Sequence, residues 1–115
     1  MNDRVFKLSL FLQPSVGEPI RSVVAQTADA TVVAWVVQPG QRIAPHMHPD
    51  GQDTWMVVSG QGDYQVDEAG HPVPISAGDV VIAATGEVHG VLCAGTEPLV
   101  FMSVVCPAEA GYAAL

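Results

Sequence analysis

Positive charge is scarce in this chain: four Lys and Arg residues stand against twelve Asp and Glu, a formal net charge of −8. Arg4, Lys7, Arg21 and Arg42 are scattered, so no basic stripe exists to neutralise phosphates, and neither nucleic acid nor an anionic membrane surface is expected as a partner. Cysteine is scarce too. Cys93 and Cys106 are too few for a disulfide framework, and a reducing, cytoplasmic setting is the expectation. No run of about 18 apolar residues occurs, so no membrane-spanning helix is expected. The opening MNDRVFKLSLFLQPS is broken by Asp3, Lys7 and Ser9 and carries no small-residue cleavage site, which argues against a signal peptide.

What the chain has in excess is apolar character: 49% of its 115 residues are hydrophobic and only 14% are charged. Such a length makes one domain, residues 1–115, and such a composition places some apolar surface against a second subunit, so a homodimer is expected. Short runs rich in Val, Ile, Thr and aromatics recur: VFKLSLF, IRSVVAQT, ATVVAWVV, DTWMVVS, GDYQVD, DVVIA, HGVLC and PLVFMSVV. These read as strands. Between them lie QPSVGEP, QPGQ, HPDGQ, SGQG, DEAGHP, SAG, ATGE and AGTEP, which supply the Gly, Pro and Asp that turns need. An all-β sandwich or barrel follows. Phe6, Leu8, Leu10 and Leu12 alternate with Lys7 and Ser9, so the first run is expected to be a strand, free to pair with a second subunit. The GYAAL tail is weakly determined.

GQRIAPHMHPDGQD, residues 40–53, sets His46 and His48 one residue apart. On an extended backbone two imidazoles at i and i+2 share a face, which is how a strand presents two ligands to one metal ion. Counting outward, Gly40 is followed by five residues, His46, one residue, His48, four residues, Asp53, six residues and Gly60. A second segment runs Gly78, five residues, Ala84, one residue, Gly86, two residues, His89, three residues and Cys93. This pattern resembles the two motifs of the cupin superfamily, G(X)5HXH(X)4E(X)6G and G(X)5PXG(X)2H(X)3N. Asp53 stands at the position of the family's Glu, Ala84 at that of its proline and Cys93 at that of its asparagine. The first motif covers 40–60 and the second 78–93.

The resemblance implies a double-stranded β-helix, a jelly-roll barrel holding one divalent transition metal (Fe, Mn, Ni, Cu or Zn) inside. Carried over by position, His46, His48 and His89 would be its imidazole ligands and Asp53 its carboxylate. That donor set suits such ions. Asp is one methylene shorter than Glu, so Gln52 in the preceding turn is an alternative fourth ligand, as is water. The period of two along the strand, which puts Asp53, Trp55 and Val57 on one face and Thr54 and Met56 on the other, favours Asp53.

Other residues have two readings each. Trp55 is expected to line a substrate pocket and Met56 to pack. Tyr64 is either a pocket hydroxyl or a cross-strand packing residue. Cys93 shares the parity of His89 and is read as a small buried hydrophobe, with a soft ligand or reactive thiol as the alternative. Arg42, with the parity of His46, is either a solvated turn residue or a group at the barrel mouth that holds a substrate carboxylate. His71 and Glu87 belong to turns and are expected to face water. Two functions stay open: a metal-dependent enzyme on a small organic substrate, either a dioxygenase-like oxygenase or a lyase or isomerase using the metal as a Lewis acid, or a metal- or ligand-binding module without turnover.

Overall fold

The computed structural model describes residues 3–115. A single 3-10 turn, Leu8–Leu10, precedes ten strands: β1 Ser22–Gln26, β2 Thr31–Val37, β3 Arg42–Met47, β4 Gln52–Ser59, β5 Gln61–Gln65, β6 Pro72–Ser76, β7 Val80–Ala83, β8 His89–Leu92, β9 Leu99–Cys106 and β10 Ala113–Ala114. They form two five-stranded sheets, ordered β1-β2-β9-β4-β7 and β10-β3-β8-β5-β6, and every pairing is antiparallel. The chain therefore crosses repeatedly between sheets, the jelly-roll arrangement that the family resemblance implies.

Alternation builds the core. Along β9 every second residue is buried, Leu99, Phe101, Ser103 and Val105, and along β4 Asp53, Trp55 and Val57 are buried. These inward faces meet Tyr64, Ile75, Val91 and Cys93 from the other sheet. At the centre Trp55 stacks on Phe101, with ring centroids 4.1 Å apart, and meets Tyr64 edge-on at 5.2 Å. Such contacts add to the area each ring buries.

The run Val5–Phe11 is not a strand. It forms the 3-10 turn, closed by the Leu10 and Phe11 amides donating to Lys7 and Leu8 carbonyls, with Phe6 edge-on to Phe11. Alternating apolar residues make a strand only where a sheet edge pairs with them, and β1, the end strand of its sheet, pairs only with β2. With the strand goes the expectation that this segment extends a partner's sheet. Instead, Gln13 donates to Ser22 on β1, and Gln41 donates to the Ser15 carbonyl, holding the segment against the barrel. Ala34 and Val36 face outward there yet are buried.

One strand lies between the turn signals DEAGHP and SAG, where none was expected. PVPIS forms β6, where Pro72 and Pro74 are exposed. Because β6 is the last strand of its sheet, prolines that donate no amide hydrogen are tolerated there.

The motif glycines punctuate these strands. Gly60 turns the chain between β4 and β5 with φ +79, and a Cβ on it would lie 2.1 Å from the Pro98 carbonyl oxygen. Gly78, at φ +93, has open space around that position. Gly78→Ala therefore carries only the left-handed backbone penalty, about 1–2 kcal/mol, whereas Gly60→Ala adds a backbone clash and should lose about 3–5 kcal/mol. Denaturant midpoints of the two variants check this, and equal losses would refute it.

Candidate metal centre

Three strands and one turn converge on a single point inside the barrel. His46 lies on β3 and pairs in register with His89 on β8. His48 follows one residue beyond the end of β3, and Asp53 projects inward from β4. One ligating atom from each of these four residues lies within 4.8 Å of the others. Asp53 is only 5% exposed and His89 only 1%.

The imidazoles are oriented from behind. His46 Nδ1 is 2.8 Å from the Ala44 carbonyl, His48 Nδ1 is 2.7 Å from that of Gly111, and His89 Nδ1 is 3.2 Å from that of Glu87. A carbonyl only accepts, so each Nδ1 carries the hydrogen and each Nε2 is left to act at the centre. Asp53 Oδ2 sits 3.1 Å from His89 Nε2 and 3.4 Å from His48 Nε2. Its Oδ1 accepts from Ser103 Oγ at 2.5 Å.

Electrostatics divides the histidines. Burial pushes His46 down to about 4, so its imidazole is neutral and ligand-ready across the physiological range. The hydrogen bond to Asp53 raises His48 above its ordinary value. For Asp53 burial acts upward, but the bonds from His48, His89 and Ser103 outweigh it and hold the carboxyl well below the usual range. The carboxylate is thus ionised while buried, which requires a cation or proton donors around it. Three Nε2 atoms and a carboxylate oxygen in a largely buried site fit a divalent transition metal.

Gln52 is exposed on the outer face of β4 and donates to Thr54 Oγ1 at 3.4 Å, so of the two side chains left open for the fourth position it is Asp53 that stands among the imidazoles. A cavity of about 480 Å³ opens over the cluster. Trp55 lines it and meets His89 edge-on at 5.7 Å. Arg42 also reaches its wall, from within β3 and not from a turn. Tyr64 does not line it. It packs behind Trp55, and burial pushes its phenol up to about 12. Cys93 is fully buried in the core with its thiol toward the Glu97 carbonyl, 3.4 Å away; its shared parity with His89 does not bring it to the cluster. Met56 is on the outer face, Glu87 accepts from the Ala84 amide at 2.8 Å in an exposed turn, and exposed His71 pairs with Asp67.

Sequence reasoning missed six contributors. Arg21 and Tyr112 line the cavity, and Tyr112 stacks on His46 with centroids 5.2 Å apart. Gly111 holds His48, and Ala113 and Ala114 pair with Met47 and His46, so the weakly determined tail braces both members of the HxH pair. Ser103 had a signal: it is a lone hydroxyl at inward parity in LVFMSVVC.

The model of the cupin domain matches residues 33–105 of this chain. The chain belongs to the cupin family. A solved structure of an uncharacterised conserved protein with a double-stranded β-helix domain from Klebsiella pneumoniae is 49% identical, covers 97% of this cupin and 96% of that chain, and superposes with a TM-score of 0.93. An oxalate-binding protein of Thermotoga maritima is 31% identical over 67 residues, which is 58% of this cupin and 54% of that relative; the chain thus spans about half of that relative's length. A predicted oxalate decarboxylase from Thermotoga maritima, 21% identical over 80% of this cupin and 94% of that chain with a TM-score of 0.71, shares the fold.

Removing one imidazole should cost at least about 100-fold in metal affinity, and Ser103→Ala about tenfold through the loosened carboxylate. Gln52→Ala should leave affinity unchanged; a larger loss for it than for Asp53→Ala would reverse the ligand assignment. His48, raised by Asp53, must shed its proton to bind metal, so affinity should already begin to fall above the ordinary histidine range as pH drops. His46 adds a further loss only near pH 4. Calorimetric titration against pH checks both, and a pH-independent affinity would contradict them.

Proposed function

We propose that this cupin holds one divalent metal through His46, His48, His89 and Asp53 and acts on a small organic molecule in the cavity above it. The observation that carries the reading is that four ligating groups converge and that three of them, His46, His48 and Asp53, line an open cavity of about 480 Å³, a size that takes a small molecule. When bound, the metal supplies Lewis-acid polarisation of a substrate oxygen, the chemistry of a lyase or isomerase, or a site for O2 in an oxygenase. The chain's own part is to aim three Nε2 atoms, keep Asp53 ionised, and line the cavity with the apolar indole of Trp55. The oxalate-binding relative supports a carboxylate-bearing ligand.

One observation favours binding without turnover as a second reading: the remaining titratable side chains on the wall, among them Glu18 and Tyr112, are exposed, so no second buried acid or base faces the cluster. Incubating protein loaded with Fe(II), Mn(II), Ni(II), Cu(II) or Zn(II) with a panel of small hydroxy and oxo acids, followed by NMR, separates the two. Consumption of a compound is expected. Binding without consumption would select the second reading, and failure of every metal to bind would defeat both.

The same reading includes a homodimer, now through a different surface. Met56, Val58, Val80 and Ile82 are exposed on the outer face of β4 and β7, an uncharged patch on a chain of net −8. A second acidic copy meets least repulsion there. Light scattering at micromolar concentration should give a dimer that Ile82→Lys dissociates, and a monomeric parent protein would contradict this.

A further inference from the structure

Two of the four basic residues, Arg21 and Arg42, stand on the wall of the cavity over the cluster. Arg21 immediately precedes β1 and Arg42 opens β3, so the guanidiniums approach from different sheets. Arg21 is near enough for its charge to act on His48. Neither forms an ion pair with a described residue. Glu18 shares this wall and is bridged to neither.

Twelve carboxylates could have neutralised four cations three times over. Two guanidiniums left unpaired at one opening are therefore a local reversal of the chain's charge, and a cleft of one sign attracts ligands of the other. The same wall carries the apolar side chains of Val33, Trp35, Ile43 and Trp55. The cavity thus combines metal-binding side chains, hydrocarbon and indole, and two planar cations suited to bidentate carboxylate contact.

We propose that Arg21 and Arg42 are the specificity-determining residues of this site, holding a distal carboxylate of the ligand. The ligand class is a dicarboxylic acid with an oxygen-rich chelating head for the metal, a short apolar spacer and a second carboxylate at the arginines. This rests on the metal-centre reading above and adds to it the identity of the ligand's far end.

The test uses protein titrated first with Mn(II), Ni(II) and Zn(II), then with three matched pairs: malate against α-hydroxybutanoate, α-hydroxyglutarate against α-hydroxypentanoate, and α-hydroxyadipate against α-hydroxyhexanoate. Each pair shares the chelating head and differs only in the far group. For at least one spacer length the diacid should bind about 10- to 100-fold tighter than its partner, the worth of a charged hydrogen-bonded contact. Arg21→Gln or Arg42→Gln should remove most of that preference. Metal affinity should hold or rise slightly in Arg21→Gln, because a positive charge leaves the neighbourhood of His48. Glu18→Gln should tighten the diacid, a gain that misfolding does not produce. If metal binds but no diacid is preferred, or if the arginine variants keep the preference, this inference falls and the metal centre stands. If no metal binds in the first titration, both fall.

Discussion

An ionised carboxylate buried among imidazoles is the constraint around which this barrel is arranged. Asp53 Oδ2 lies 3.1 and 3.4 Å from two Nε2 atoms, and a carboxylate oxygen and an imidazole lone pair repel at that distance unless a proton or a cation lies between them. Protons serve at low pH, which is why His48 is raised. A divalent cation satisfies all four groups at once. The surroundings serve the same end: Ser103 takes the other carboxylate oxygen, and three backbone carbonyls take the Nδ1 hydrogens.

The fold supplies those carbonyls from three places that are distant in sequence: within β3, in the turn before β8 and in the tail beside β10. A two-sheet barrel brings such places together because its strands interleave, and the register of β3 against β8 sets His46 directly opposite His89. The tail is then a working part of the centre. Gly111 orients His48 and Tyr112 stacks on His46, while the strand pair between them is only two residues long.

How much of this could be read from the sequence depends on range. The all-β class and the inward face of β4 followed from local period, since Asp53, Trp55 and Val57 alternate with outward residues, and the histidine cluster followed from spacing that resembles a known family. Val5–Phe11 misled because alternation describes a strand's side chains and not whether an edge is free to pair with it. β6 was hidden by prolines that only an edge position permits. Arg21, Gly111 and Tyr112 were out of reach because their roles arise from contacts across the barrel. Cys93 shows the converse: correct inward parity at the wrong depth leaves it in the core, away from the cluster.

What distinguishes this account from a polar cavity that happens to contain histidines is the state of three ring nitrogens: each Nδ1–H is fixed on a carbonyl so that each Nε2 is free for a metal. Proton NMR of the protein loaded with paramagnetic Co(II), recorded in H2O and in D2O, reads this directly. The account predicts three hyperfine-shifted ring N–H signals that disappear in D2O, one each from His46, His48 and His89. Fewer than three such signals, or none, would contradict it.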